Sequence, residues 1–337
     1  MIRARRFGLL VLSLVVLLGI ALWRSSWRWP QRVKVASGAI ILLQNAPDGG
    51  FYAVSQDAKT LCPTLWKLNA NLSVASSRSW KQPIRQAALS TDGKILALQK
   101  MGNGIKGVVR FYDIGDGHPM KTPEAMGADS MAFSPDGRYF VFSHSDFWDL
   151  RNNWSVLRRQ GDTFVPEGKP KTRISASQFL FSKDSKTLAI GGQGGDIAVV
   201  DFPSLKPRAV WPDLLDSKGV NAVSAVALAP DGKHLLSFHL GSYDLWEWNI
   251  ASHAKRRQGP ANSTGSGAIP SNPTTLLDYS LDGTTWVLDG SQVGNASTLQ
   301  IERTLPHKSF NTAQLFAPNS DLLVGDASGT ITRWQLK

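Results

Sequence analysis

The side chains that could do chemistry in this sequence are few and badly spaced for it. Gly102-Asn-Gly-Ile-Lys-Gly107 fits the letters G-x-G-x-x-G, but a dinucleotide-binding turn needs a strand before it and a helix after it. Here the segment joins Ile95–Met101 to Val108–Ile114, both patterned as strands, so it reads as a hairpin loop. His234 and His239 are the closest of the six histidines. Their odd separation puts them on opposite faces of a strand, so they cannot share a metal. No Asp-x-Asn-x-Asp calcium loop, P-loop or G-x-S-x-G elbow occurs. Asn71, Asn153, Asn262 and Asn295 begin Asn-x-Ser/Thr triplets, which carry glycans only in a eukaryotic secretory setting. No spacing assembles a nucleophile, a base and an orienting group. No catalytic residue, cofactor or metal ligand is expected.

Cys62 is the single cysteine among 337 residues, which excludes an internal disulfide framework and a cysteine-based structural zinc site. The chain carries 37 Lys+Arg against 26 Asp+Glu. Seven of the bases (Arg3, Arg5, Arg6, Arg24, Arg28, Arg32 and Lys34) precede the first acid, Asp48. The other 30 nearly balance the acids. A nucleic-acid binder carries its excess on the folded domain. Here the excess flanks an apolar segment, which points to anionic lipid head groups and away from nucleic acid.

That segment organises the N-terminus. Residues 1–6 are a short basic tail, and residues 7–23 are uncharged, with Phe7, Leu10, Leu14, Leu17, Leu18 and Leu22 supplying apolar surface. At ~1.5 Å per residue they span about 25 Å as a helix, enough for a short transmembrane segment whose flanking arginines snorkel. Residues 24–32 form a tether, and Trp23 at the end of the apolar run joins its Arg24, Trp27, Arg28 and Trp29 in a Trp/Arg cluster suited to the membrane–water interface. The competing reading is a cleaved signal peptide, for which Gly19-Ile20-Ala21 offers small residues at the cleavage positions. A retained signal anchor is preferred, because Trp and Arg follow at once. A tail of only six residues usually stays in the cytoplasm, which would leave the rest of the chain extracytoplasmic or periplasmic.

Past residue 35 the chain repeats. Asn45-Ala-Pro-Asp-Gly, Leu89-Ser-Thr-Asp-Gly, Phe133-Ser-Pro-Asp-Gly, Phe181-Ser-Lys-Asp-Ser, Leu228-Ala-Pro-Asp-Gly, Tyr279-Ser-Leu-Asp-Gly and Phe316-Ala-Pro-Asn-Ser are copies of one turn. From Asp48 through Asp92, Asp136, Asp184, Asp231 and Asp282 to Asn319 the gaps are 44, 44, 48, 47, 51 and 37. Such a period suits one four-stranded propeller blade. In Ser134-Pro-Asp-Gly137 Pro and Gly hold the places a type I turn prefers. An apolar stretch precedes each turn and another follows it. A third closes most units, as in Val109-Arg-Phe-Tyr-Asp-Ile and Leu245-Trp-Glu-Trp-Asn-Ile. These are strand signals with hardly a helical period.

On these residues the chain from about 33 to 337 resembles the WD-repeat family of β-propellers. The closing Trp-Asp of that family corresponds to Trp66-Lys67, Tyr112-Asp113, Leu157-Arg158, Val200-Asp201, Trp248-Asn249, Ile301-Glu302 and Trp334-Gln335, so no unit has both letters. The family's Gly-His pair is matched only by Pro306-His307. Ser280-Leu-Asp-Gly-Thr-Thr-Trp286 resembles the sialidase Asp-box with Gly and Trp one residue early, and reads as the ordinary blade turn. The resemblance implies an all-β, seven-bladed propeller of four-stranded antiparallel blades, and the apolar run 7–23 adds one transmembrane helix before it. The resemblance also implies closure: residues 33–337 would form a ring in which Val33 to Ser37 complete the last blade, because the last unit ends at its third strand.

Length variation concentrates in segments that would share the top face, the face opposite the repeated turns. Residues 145–154 carry Phe147, Trp148, Arg151 and Trp154; residues 211–218 carry Trp211, Leu214 and Leu215; and the longest connection, 255–273, begins at Lys255 with Arg256 and Arg257. Trp and Arg are the usual anchors of binding hot spots, although such groups can also fold back to cap neighbouring blades. The expected function is a non-catalytic, membrane-anchored scaffold, an accessory subunit that stabilises or assembles a membrane protein complex. Two other readings stay open: a propeller hydrolase or lyase with a channel-centred site, and an envelope sensor that binds a small ligand or carbohydrate.

Overall fold

In the computed structural model the described residues are 30–101, 107–120, 125–126, 130–144, 153–168, 170, 172–212, 222–239, 243–260, 276–306 and 309–336. They form 28 strands in seven four-stranded antiparallel sheets, the blades of a closed propeller. Strand β1 (Gln31–Lys34) comes first and is taken up last. Blade 1 is β2 (Ala39–Asn45), β3 (Phe51–Gln56), β4 (Pro63–Leu68) and β5 (Val74–Ser79). Blade 2 is β6 (Ile84–Leu89), β7 (Ile95–Lys100), β8 (Val108–Asp113) and β9 (Ala125–Met126). Blade 3 is β10 (Met131–Phe133), β11 (Tyr139–Ser143), β12 (Trp154–Gln160) and β13 (Thr163–Pro166). Blade 4 is β14 (Ala176–Phe181), β15 (Thr187–Gly192), β16 (Ile197–Asp201) and β17 (Lys206–Trp211). Blade 5 is β18 (Val223–Leu228), β19 (His234–His239), β20 (Asp244–Asn249) and β21 (Lys255–Pro260). Blade 6 is β22 (Leu277–Tyr279), β23 (Thr285–Leu288), β24 (Gln292–Asn295) and β25 (Ile301–Thr304). Blade 7 is β26 (Asn311–Phe316), β27 (Leu322–Asp326) and β28 (Thr330–Trp334), completed by β1 on its outer edge.

The repeated turn is a side-chain device. Ser134 Oγ accepts the Tyr139 amide at 2.9 Å and donates to Asp136 Oδ1, which accepts the Arg138 amide at 3.0 Å. Gly137 sits at φ +67°, a conformation costly for residues with a Cβ. Ser90/Asp92, Ser182/Asp184 and Ser280/Asp282 repeat the same bonds. The second hairpin on the same face, between third and fourth strands, is opened by Asp or Asn for a related reason. Asp113 Oδ1 accepts the Gly115 amide at 2.7 Å, Asn249 Oδ1 the Ser252 amide at 2.9 Å, and Asn295 Oδ1 the Ser297 amide at 2.9 Å. These are Asx turns.

This geometry corrects two of the expected closing pairs. In blade 6 the third strand is β24, so Ile301-Glu302 falls in the outer strand and Gly294-Asn295 closes the unit. Trp286 lies opposite Gly294, and a Cβ there would be 2.1 Å from the indole. The ring fills from β23 the space that a third-strand tryptophan fills elsewhere. In blade 1, Leu68 lies opposite Phe51 as Trp248 lies opposite Leu235. The closing pair there is Leu68-Asn69, and Trp66-Lys67 is displaced because the first turn is one residue shorter: Ala46 N bonds to Gly50 O, whereas Ala229 N bonds to His234 O.

One hydrophobic cluster fills each blade–blade interface. Phe111, Phe133, Phe140 and Phe164 join blades 2 and 3; Trp211, Trp248 and Val226 join 4 and 5; Ile40, Phe51, Leu323 and Ile331 join 7 and 1. Burying a side chain of this size contributes roughly 1.5–3 kcal/mol, so each interface supplies several such terms. Polar groups bridge the same interfaces. Inner strands bulge at matching places, and the carbonyl before the bulge accepts a neighbour's side chain: Thr312 Oγ1 to Ile40 O at 2.6 Å, Gln56 Nε2 to Ile84 O at 2.5 Å, and Ser177 Oγ to Val223 O at 3.0 Å.

The ring closes as expected, with a shift in bounds. Strand β1 pairs antiparallel with β28, Gln31 opposite Arg333 and Lys34 opposite Thr330. It begins two residues before Val33 and ends before Val35, because the Val35 and Ala36 amides both turn onto Gly329 O. Gln31 and Arg32, expected in the tether, therefore belong to the propeller. Residues 7–23 and 24–29 lie outside the described residues. No described helix is long and apolar enough to cross a membrane.

Candidate partner-binding face

The loops between second and third strands, together with the blade-to-blade connections, share the top face. The Ser-x-Asp-Gly and Asx turns share the bottom. Phe147, Trp148, Arg151, Leu214 and Leu215 lie outside the described residues. Trp154 and Trp211, candidates for partner-binding loops that could also fold back onto neighbouring blades, are strand residues of the core. Trp154 opens β12, is 2% exposed, and sits 5.7 Å from the Phe179 ring across the interface of blades 3 and 4. Trp211 ends β17, is 7% exposed, and packs 5.0 Å from Trp248 of blade 5. Both cap a neighbouring blade, because the last strand residue at the top has only an adjacent sheet to lie against. Arg256 is exposed but held: Nη2 meets Glu247 Oε2 at 2.8 Å and Nη1 donates to Ser297 O at 2.8 Å. It struts blade 5 against blade 6. Arg257 lies opposite Trp246 in β21.

The exposed apolar groups on the top are ones the sequence did not single out. Met101 is 50% exposed, Tyr243 51% and Phe310 48%. Met101 follows β7, Tyr243 precedes β20 and Phe310 precedes β26, so all three are top-face positions. Tyr243 is held at φ +53°, an outlier for a bulky side chain, with its ring 6.4 Å edge-to-face from Phe238. The other large apolar groups that are clearly exposed, Val74, Val210 and Ile301, lie on outer strands. Val74 and Ile301 open β5 and β25 directly after bottom hairpins, so these two lie at the bottom end of their outer strands.

Two polar sites bear on chemistry. In blade 5, Trp248 Nε1 donates to Ser237 Oγ at 2.8 Å, and His239 Nε2 lies 2.9 Å from the same hydroxyl. Asp244 pairs with His239 across the ladder. These are the residue types of acyl transfer, but Ser237 and His239 are 0% exposed. Trp248 already donates to the hydroxyl, which is buried in the blade. In the ring's inner layer, Asp278 on β22 accepts the Tyr279 amide at 2.8 Å. Burial pushes its pKa up to about 7, against the opposing pull of that hydrogen bond and of Lys183 in the blade 4 turn. Burial also raises Asp289 at the top of blade 6, where its carboxylate caps the Leu276 amide at 2.9 Å.

Two clefts flank the closing blade. One of about 300 Å³ runs between blades 6 and 7 past Arg32, Asn311, Thr330, Thr332 and Trp334. The other, of about 400 Å³, opens between the crossover 34–38 and Trp66 of blade 1. Among the described residues, no group of three or more His, Cys, Asp or Glu could hold a metal ion. Compared with known proteins, the chain matches no family model and no curated relative.

Proposed function

We propose that the chain is a divergent WD-repeat propeller acting as a non-catalytic, membrane-anchored scaffold, an accessory subunit that holds together a membrane protein complex. The observation that carries this is the disc's polarity. Gln31 Nε2 bonds to Asn71 O in the bottom hairpin of blade 1, so the chain joins the ring from below. Seven residues, Arg24–Pro30, separate it from the apolar run, a reach of about 25 Å at most. The exposed apolar side chains Met101, Tyr243 and Phe310 stand on the far face. A disc tethered by its bottom presents that top face to protein subunits, and exposed apolar side chains there suit contact. Lys and Arg of the tether add about 1 kcal/mol each where anionic lipid is present. The WD assignment is supported by the Asp or Asn that closes five units: Asn69, Asp113, Asp201, Asn249 and Asn295. The propeller is placed outside the cytoplasm, with the short tail inside.

Purification of the full chain in mild detergent tests the reading. Subunits should co-purify with the wild type and be lost with Tyr243→Ala/Phe310→Ala at unchanged melting temperature. Retention of every partner by a folded double variant contradicts it. Protease protection in sealed vesicles of known orientation tests the side.

A second reading, a small-ligand sensor, is favoured by Asp278, whose raised pKa in the ring's inner layer is typical of functional sites. A ligand-dependent shift in melting temperature that Asp278→Asn abolishes would establish it.

A further inference from the structure

The cleft at the ring seam is lined on one side by Trp66, Thr64, Ser55 and Asp57 of blade 1, and on the other by the crossover Lys34–Gly38. Trp66 stands two residues before the closing position Leu68, as Trp246 stands two before Trp248. The two tryptophans meet different surroundings. Lys255 on the outer strand of blade 5 puts its ammonium 4.4 Å from the centre of the Trp246 ring. The outer strand of blade 1 reads Val-Ala-Ser-Ser-Arg-Ser and sets Ser77 opposite Trp66. Small residues there leave the indole bordering an open space of about 400 Å³, within the range of small-ligand sites.

The walls define what fits. Trp66 Nε1 donates to Ser55 Oγ at 2.9 Å, which anchors the indole as the apolar part of the cleft lining. Asp57 Oδ1 is saturated by the Lys59 and Thr60 amides and the Thr60 hydroxyl, at 3.1, 2.8 and 2.9 Å. Those bonds hold its carboxyl below the usual range, so Asp57 is an anion with its second oxygen to offer. Lys34 brings a cation to the other wall, tied to Ser328 O. A cationic ligand meets Lys34 and an anionic one meets Asp57. A neutral ligand with an apolar face and a rim of hydroxyls suits both walls. Its flat carbon–hydrogen face lies on the indole, and its hydroxyls exchange hydrogen bonds with Asp57, Thr64 and the crossover backbone.

We infer that the seam cleft is a binding site for a neutral pyranose sugar, stacked on Trp66 and hydrogen-bonded to Asp57. The site lies between blades 7 and 1 at the top of the ring, and its lining includes neither inner-strand residues nor Tyr243 or Phe310. It stands whether or not the scaffold reading does.

Saturation-transfer NMR on the full chain, in a detergent without a sugar head group, tests this. The probes are glucose, galactose, mannose and N-acetylglucosamine with maltose, cellobiose and chitobiose; choline and inorganic phosphate serve as charged controls. At least one sugar should bind saturably with a Kd of about 1 mM or tighter. Binding should weaken at least tenfold in Trp66→Ala. Because Trp66 also packs against the seam core, a second variant is needed. Ser37→Trp, at an exposed crossover position, fills the cleft from outside and should abolish binding at unchanged melting temperature. The proposal is overturned if no sugar saturates, if sugar binding survives both variants, or if a charged control takes the cleft in place of the sugars.

Discussion

Gln31 Nε2 lies 2.8 Å from the carbonyl oxygen of Asn71, and this bond joins the first strand of the chain to the bottom hairpin of blade 1. Arg333, opposite Gln31 in the ladder, donates to Ala70 O at 2.8 Å from the same side. Residues 40 apart in one case and 263 apart in the other thus meet at one corner of the disc. The corner fixes two things together: where the ring closes, and from which face the N-terminal segment leaves.

Closure by β1 gives the first prediction. Deleting residues 1–34 removes the four-residue ladder to β28 and uncovers Ile331, which is 0% exposed. The deleted protein should melt well below the parent and be cut by protease in blade 7 first. Ile331→Ala should cost about 2–4 kcal/mol in denaturant unfolding of the intact chain. Equal melting of the deleted and intact proteins would show that β1 is dispensable.

Two glycines with similar backbone angles should behave differently. Gly329 has φ +88° and a Cβ there would lie 2.3 Å from Ala36 O; Gly137 has φ +67° and a Cβ would meet nothing within 4 Å. Gly137→Ala should cost about 1–2 kcal/mol from the left-handed conformation alone. Gly329→Ala adds a backbone clash at the seam and should cost about 2–5 kcal/mol. Urea unfolding of both variants orders them, and the reverse order would refute the seam geometry.

Trp154 and Trp211 separate packing from partner binding. Each Trp→Ala change should lose about 3–5 kcal/mol, read as a lower denaturant midpoint in the isolated protein. Near-neutral unfolding would return them to the list of exposed anchors.

Much of this architecture is legible in the sequence because the turns are local devices. Ser134, Asp136 and Gly137 satisfy one another within a few residues, so their letters repeat wherever the fold does. The top face is not legible in that way. Trp154 and Trp211 are aromatic residues beside variable loops, and only the sheet packed against each decides whether the ring is covered. Met101, Tyr243 and Phe310 show the converse, since nothing in their local letters says that no neighbour covers them. Glycine at 294 was hidden by a trade between strands, Trp286 filling the space from β23. The seam cleft depends on small residues in β5 facing a tryptophan in β4, a relation that exists only once the register is known.

Asp278 gives a pH dependence whose sign follows from its shift. Its folded pKa of about 7 lies above the ordinary carboxyl value of 3.8, so the folded state holds the proton more tightly than the unfolded state. The penalty for ionising it is absent below about pH 4, grows as pH rises from 4 to 7, and is full above 7. Asp278→Asn should therefore leave stability unchanged at pH 4 and raise it by on the order of 1–3 kcal/mol at pH 8. Melting curves of both proteins across that range check it. An Asn variant that loses stability at pH 8 would mean that the carboxylate is paired when ionised.

Whether the disc rides on a bilayer, and with which face towards it, bears most directly on the scaffold reading. Spin labels at Asp48→Cys on the bottom and Met101→Cys on the top, each in a Cys62→Ser background, can be placed relative to the bilayer of reconstituted vesicles. Collision with lipid-soluble oxygen and a water-soluble nickel chelate reports the depth of each label. The account predicts that the label at 48 lies near the head groups, while the label at 101 stands a disc's thickness away in water. A label at 101 nearer to the lipid than the label at 48, or no association of the chain with the vesicles, would contradict it.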